Sequence, residues 1–423
     1  MNKIIKDSAK LLSANVIAQA VGLAVYPVLS RLYSPDDFGL LNLFMSIGGV
    51  LVLLSTAEYQ YAILLPKSDD KARAVTHVGM VILAALTFVL LLSVPFSNSV
   101  AALFNTPSLA RFWWVMPFYV AALGLWSLLN YYYTRMRRFS LIGGFQASQS
   151  IAGAAFKVGF GGVHLPGGLI VSCVLAPLGS LIGVIICGWR KCVSLLLIRY
   201  PMTTYKQVAG EFSRFPKYSL PRSLLNSVSI NLPVFMLTPV FGVTEMGFFS
   251  MAFALAFRPI NMICASFYQV LFRQTADFVN RRQPILAFLM RYLVAVILIT
   301  VPVFVLLYCF LPDITAWLLG KDYVVSGEYI RSLLVWLLMV LMATGINFIP
   351  DIFGKQRVMM WIEIGYLIVR VLALGLGIYI GSLMFAVRWY AYSSAIVLLC
   401  ELVWFLIVAY RFDRQLYEDA HIG

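Results

Sequence analysis

"YSPDDFGLL" at residues 33–41 and "FGVTEMGFF" at residues 241–249 are two spellings of one phrase, 208 residues apart. Each copy has an aromatic residue, a short breaker or polar stretch, an acid, a bulky apolar residue, a glycine and two more apolar residues. Asp37 answers to Glu245, Phe38 to Met246 and Gly39 to Gly247. Outward from either copy the chain enters long apolar runs. Twelve can be read, at roughly 11–30, 39–57, 75–96, 112–131, 141–162, 168–188, 219–240, 247–271, 286–310, 331–350, 359–380 and 388–410, each long enough to cross about 30 Å of hydrocarbon as a helix.

Composition agrees with lipid as the solvent. The chain is 61% hydrophobic and only 12% charged, against about 25% charged in a soluble domain. In hydrocarbon every backbone polar group must be satisfied within its own segment, so such spans are helical. The fold class is therefore an all-α polytopic membrane protein. The first run follows Lys3, Lys6 and Lys10 like a signal peptide, but it is too long and lacks a small-residue cleavage site, so it is expected to remain as a span.

The net charge of +14 is explained by topology rather than by nucleic acid. With the N-terminus inside, 24 of the 32 basic residues fall in inside segments, five outside and three within spans. This is the positive-inside bias, and it places both termini in the cytoplasm. The six cysteines (Cys173, Cys187, Cys192, Cys264, Cys309 and Cys400) show neither metal spacing nor a disulfide framework, and read as small apolar packing residues.

The longest hydrophilic stretch, 189–223, separates six spans from six, giving lobes 1–200 and 201–423. Each copy of the phrase follows the first span of its half and leads into the second. An even number of spans per half gives both halves the same orientation, so the repeat is parallel, about an axis along the membrane normal. The leading helices agree. Asn15, Gln19, Gly22, Tyr26 and Ser30 form one stripe; a shift of 208 lands on Ser223, Ser227, Ile230, Val234 and Thr238, with Asn226 and Asn231 nearby. Two matching polar stripes favour a water-filled cavity between the lobes. The plainer alternative is hydrogen-bonded packing between helices.

Lys157, Arg258 and Arg370 lie inside spans, where a cation costs about 2.5–3.5 kcal/mol on the insertion scale. Arg258 sits near the middle of span 8 beside Pro259 and Asn261. Arg370 shares a helix face with Glu363 and Tyr366, and Lys157 continues a face of Gln146, Gln149 and Gly153. Each cation is read either as a structural partner of acids or carbonyls, or as part of a cationic surface receiving an anionic substrate. For Lys157 the long stem also permits snorkelling. Glu363 and Glu401 are the embedded acids; either can carry a coupling ion, and Glu363 equally suits a structural pairing with Arg370. His77, His164 and His421 form no relay. No metal site and no cofactor are expected.

Four stretches carry a family resemblance: "YPVLSRLYSPDDFGLLNLF" (26–44), "AEYQYAILLPKSDDKA" (57–72), "FSRFPKYSLPRSLLNSVSINLPVFMLTPVFG" (212–242) and "EMGFFSMAFALAFRPINMI" (245–263). Together they resemble the polysaccharide-exporting branch of the multidrug/oligosaccharidyl-lipid/polysaccharide exporter superfamily. The outside loop expected at 311–330 is longer than the repeat requires. The resemblance implies a MATE-like arrangement of two six-helix lobes around a central cavity, and a flippase of the bacterial inner membrane. Its substrate would be a polyprenyl-pyrophosphate-linked oligosaccharide, moved to the outer leaflet by alternating access, with pathway enzymes such as a polysaccharide polymerase as partners. Arg258 then matches the cationic cavity best by position, followed by Arg370 and Lys157, with Asn15, Gln19, Asn226, Asn231, Asn261, Gln146 and Gln149 as amide donors.

Two other readings compete. A cation-coupled multidrug antiporter of the same superfamily would be dominated by embedded acids, whereas cations outnumber them here. A membrane-embedded glycan polymerase or ligase would need a large outside loop or a carboxylate or histidine cluster at one face. Nucleotide-binding signatures are absent.

Overall fold

The computed structural model describes residues 22, 24–189, 195 and 200–422. The first expected span, 11–30, lies largely outside them. The described residues are helical nearly throughout, and no strand occurs among them. The long helices are α1 (Tyr26–Leu32), α2 (Pro35–Thr56), α3 (Asp69–Leu92), α4 (Met116–Arg135), α5 (Phe139–Gly162), α6 (Gly168–Cys187), α7 (Met202–Glu211), α8 (Leu220–Asn280), α9 (Leu286–Leu319), α10 (Val324–Thr344), α11 (Gln356–Ile380) and α12 (Leu383–Ile422). Among the described residues, nine helical stretches are long and apolar enough to cross a membrane. Helix α5, the fifth expected span, is not one of them: it has the length, but Gln146, Gln149 and Lys157 dilute its hydropathy.

Two boundaries differ from the sequence expectation. Spans 7 and 8 were expected to be separated by a loop carrying the second phrase; the two helices occur, but they meet at a kink at Gly242 within α8 rather than across a loop. The loop expected at 311–330 is mostly helix. Helix α9 continues through Pro312 to Leu319, and a single turn at Lys321–Tyr323 leads into α10. Gly320 makes that break at φ 108°, ψ 163°, and Gly242 makes its own at φ 84°, ψ 171°. This backbone region is open essentially only to glycine, which is why one residue can do what a loop was expected to do.

The chain divides into two compact units, Met1–Gly247 and Phe248–Gly423. In the first, α2 begins with a capping box. Ser34 accepts from the Asp37 amide, the Asp37 carboxylate accepts from the Ser34 amide at 3.0 Å, and Pro35 occupies the first turn. Asp36 and Asp37 also complement the helix dipole there. At the other end α2 stops at Ala57 and Glu58, both left-handed. The polar linker helix α7 docks on α3 through side chains. Lys71 pairs with Glu211 at 2.6 Å, and the Tyr200 hydroxyl donates to Asp70 at 3.0 Å. His77 lies 2.5 Å from the Leu195 carbonyl and 3.0 Å from the Tyr205 hydroxyl. A carbonyl only accepts, so the His77 Nε2 carries the hydrogen.

The two copies of the phrase meet inside this first unit. Gly39 packs so closely on the Val243 carbonyl that a methyl there would overlap it, and Gly247 packs equally closely on the Pro35 carbonyl. Pro35 corresponds to Val243 and Gly39 to Gly247, so the contact is reciprocal, as at an isologous two-fold interface. Between them Thr244 donates a hydrogen bond to its own counterpart, Asp36. Phe38 and Met246, again counterparts, are both buried.

In the second unit, α12 packs along α10 and α11, and α10 also packs on α9. No local side chain caps α9. Its first amides donate instead to the buried Asp413 of α12, Ile285 to Oδ1 at 2.8 Å and Leu286 to Oδ2 at 2.9 Å.

Candidate functional site

The second unit holds two of the three embedded cations, in opposite settings. Arg370 on α11 is buried. Its guanidinium stacks 3.8 Å from the Tyr366 ring centre and 5.3 Å from that of Tyr390, and Nη2 donates to the Tyr366 hydroxyl at 2.7 Å. The same hydroxyl accepts from the Trp336 indole at 3.2 Å. Trp336 in turn stacks on Phe253 and Phe257 of α8, at 5.9 and 5.5 Å. An aromatic column thus ties α8, α10, α11 and α12 to one guanidinium. Cation–π contacts and a phenol oxygen contribute to the stabilisation that a cation among apolar helices requires.

Arg258 follows Phe257 on α8 and is exposed, as are Asn261, one turn on, and Asn226 near the start of that helix. Phe253 and Phe257, on the same helix as Arg258, stack on each other and on Trp336. Glu363 is exposed and Glu401 buried, and the two are electrostatic neighbours. The Ser394 hydroxyl, two turns before Glu401, is fully buried with no hydrogen-bond partner among the described residues.

The first unit holds the remaining site residues. Gln146, Gln149 and Lys157 lie along α5, all half-buried, and the Gln146 carbonyl oxygen is buried without a hydrogen-bond partner among the described residues. The Tyr33 hydroxyl donates to the Lys157 backbone carbonyl at 2.8 Å. Burial, with Asp37 nearby, pushes the Tyr33 phenol up to about 12, so it keeps its hydrogen for that bond. Asn231 engages both ends of its amide within the protein: Oδ1 accepts from Ser46 on α2 at 2.8 Å, and Nδ2 donates to the Ser227 carbonyl at 2.8 Å. Asn15 and Gln19 lie outside the described residues.

Sequence reasoning found Arg370 and Tyr366 by their spacing on one helix. It missed Trp336 and Tyr390, whose signal was present only as polar-tipped aromatics within spans; such groups find hydrogen-bond or cation partners when buried. Among the described residues there is no group of three or more His, Cys, Asp or Glu side chains able to hold a metal.

Comparison with known proteins bears on what this arrangement belongs to. No curated protein sequence matches the chain. Among solved structures, an inward-facing multidrug resistance MATE family transporter of the MOP superfamily aligns with a TM-score of 0.70 at 14% identity, over 96% of this chain and 99% of that one. The lipid II flippase MurJ, in an inward closed conformation, aligns with a TM-score of 0.71 at 13% identity, over 96% of this chain and 91% of its own. At such identities the likeness is one of fold, and the fold is that of membrane transporters. A family model described as polysaccharide biosynthesis protein matches residues 28–328. The chain is thus a multi-pass membrane protein, and it belongs to the polysaccharide biosynthesis protein family.

Proposed function

We propose that the protein is a flippase carrying a polyprenyl-pyrophosphate-linked oligosaccharide from the cytoplasmic to the outer leaflet of a bacterial inner membrane, for surface polysaccharide assembly. Both termini then lie in the cytoplasm, and the repeated phrase faces outside. The observation that carries the reading is Arg258: an exposed guanidinium within an apolar helix. Facing hydrocarbon, such a group is costly. Facing a wet cavity, it offers a planar fork of donors for a pyrophosphate, the kind of charge-assisted bond that is strong and geometrically selective. The Asn261 amide one turn away suits the same ligand or its sugar hydroxyls. Lys157, Gln146 and Gln149 offer a second basic and amide-rich face on α5, and the buried, unsatisfied Gln146 oxygen is the kind of group a glycan hydroxyl would complete. Rocking of the two lobes about such a site would carry the head group across while the prenyl tail stays in the bilayer. Enzymes of the same pathway, a polymerase included, would meet the product at the membrane.

The test compares Arg258→Ala with Arg258→Lys at matched protein abundance. The readouts are surface polysaccharide and the leaflet distribution of the lipid-linked oligosaccharide. Loss of export in Ala with partial recovery in Lys is expected; normal export by the Ala variant would overturn the reading.

A cation-coupled multidrug antiporter is the second reading, and the buried Glu401 beside Glu363 is the observation that favours it. Under that reading Glu401→Gln abolishes drug efflux in the intact cell. Under the flippase reading the chain confers no drug efflux to lose.

A further inference from the structure

We propose that the turn Arg137–Arg138, with Lys67 beside it, anchors the first unit to anionic phospholipid head groups of the cytoplasmic leaflet. The choice of leaflet rests on the topology given with the proposed function; the ligand chemistry rests on the turn itself.

Arg137 follows α4 in the left-handed region, at φ 54°. Two hydrogen bonds close the turn: the Arg138 amide donates to the Tyr133 carbonyl at 2.9 Å, and the Arg137 amide to that of Thr134 at 3.0 Å. Helices that end in this way favour glycine at the left-handed position, and asparagine or histidine tolerate it. Asn105, His164, Gly354 and Gly381 take that conformation at other turns. Arginine gains nothing from the backbone there, so what recommends it is its side chain. The helix dipole does not supply the reason, because Arg135 already places a cation in the last turn of α4.

The surroundings say what the side chain meets. Arg135 donates to the Pro66 carbonyl at 2.7 Å and to the Lys67 carbonyl at 3.4 Å, which sets Lys67 next to the turn. The acids of this end are engaged: Asp69 by Arg135 at 2.9 Å, Asp70 by the Tyr200 hydroxyl at 3.0 Å and Glu211 by Lys71 at 2.6 Å. Lys67, Arg137 and Arg138 are exposed, and among the described residues no ion pair includes them. Depth comes from Trp189, 62% exposed, which follows Gly188. Gly188 packs against Tyr133 and Leu141, one on each side of the turn. Exposed tryptophans of membrane proteins sit at head-group level. Cations at that level attract anionic lipid one charge at a time, and a guanidinium fork matches a phosphate. Arg282, at the end of α8, has the same backbone conformation, but Asp419 lies 3.8 Å from it. That arginine has an acid within the chain; Arg137 meets its anion outside it.

The experiment titrates the purified full-length protein, in neutral detergent, with phosphatidylglycerol and reads the unfolding midpoint, with phosphatidylcholine and inorganic pyrophosphate in parallel. Only phosphatidylglycerol is expected to raise the midpoint. Arg137→Gly should need about fivefold more of it for half the effect. Without anionic lipid this variant should unfold no earlier than wild type, because glycine suits that backbone. Arg282→Gly makes the same backbone change and removes the same charge, and should leave the lipid response unchanged. A wild-type response from Arg137→Gly, a lower midpoint for it without lipid, an equal loss from Arg282→Gly, or an equal rise with pyrophosphate overturns the anchor. The side is read by labelling Arg137→Cys with a membrane-impermeant thiol reagent, against the unsubstituted protein. Labelling in inverted vesicles is expected; labelling in spheroplasts overturns the leaflet and the topology with it. If the titrations follow the expected pattern in a protein that moves no lipid-linked oligosaccharide, the anchor stands and the substrate assignment falls.

Discussion

Arg258 and Arg370 are both arginines written into apolar helices of the same unit, yet the fold treats them in opposite ways. Arg370 is 7% exposed, sandwiched by two tyrosines and bonded to one of them. Arg258 is exposed, and the phenylalanines of its helix stack on Trp336. A guanidinium already ringed by aromatic faces has little surface left to offer a ligand, whereas an exposed one on a rigid helix is preorganised to receive it. An embedded cation thus announces only that something offsets its desolvation. Whether the offset is internal or brought by a substrate depends on partners elsewhere in the chain.

The comparison is broken most forcefully at Arg370. If its role is architectural, Arg370→Ala removes a stacked cation, its hydrogen bond and the volume they fill, at a cost on the order of 3–5 kcal/mol. Reduced abundance and a lowered unfolding midpoint in detergent are expected. Arg370→Lys should recover little, because an ammonium neither lies flat on Tyr366 nor presents a fork. A normally stable Arg370→Ala protein that fails only in export would move Arg370 to the side of Arg258.

Asp413→Ala comes next. It leaves two amides at the start of α9 without their acceptors, in a buried place, so about 2–3 kcal/mol of stability should be lost. Export per folded molecule should be unaffected. Smaller again is Tyr366→Phe, which keeps the ring under Arg370 but withdraws the oxygen shared with Trp336, for about 1–2 kcal/mol. Thermal unfolding should resolve it from wild type. A cost as large as that of Arg370→Ala would mean the hydroxyl, rather than the stacking, holds the guanidinium.

Helices and candidate cations were legible in the sequence because both are local or composition-based signals. Apolar runs of span length declare helices in lipid, and "SPDDFG" is written again as "GVTEMG" 208 residues on. The spacing of Tyr366 and Arg370, one helical turn apart, predicted a contact that the fold makes. What escaped was long-range or conformational. Tyr390 reaches Arg370 and Trp336 reaches Tyr366 from other helices, Asn231 finds Ser46 on α2, and Asp413 caps a helix that begins 127 residues before it. No periodicity along one helix encodes such pairs. The breaks at Gly242 and Gly320 were misread as loops for a different reason. A glycine among bulky apolar residues looks like the start of a turn region, and only the backbone angles reveal that one residue suffices.

The smallest expected effect on folding is the most discriminating. Arg258→Ala removes an exposed side chain, and such surface substitutions usually change stability by less than about 0.5 kcal/mol. Its unfolding midpoint should therefore match wild type while export is lost, the reverse of Asp413→Ala. Measured together in one preparation, the two variants separate transport from folding without reference to the identity of the glycan. If Arg258→Ala instead unfolds as readily as Arg370→Ala, the guanidinium is a structural member of the second unit. The contrast between the two arginines would then vanish, and the cationic reading of the site would have to be carried by Lys157 on α5.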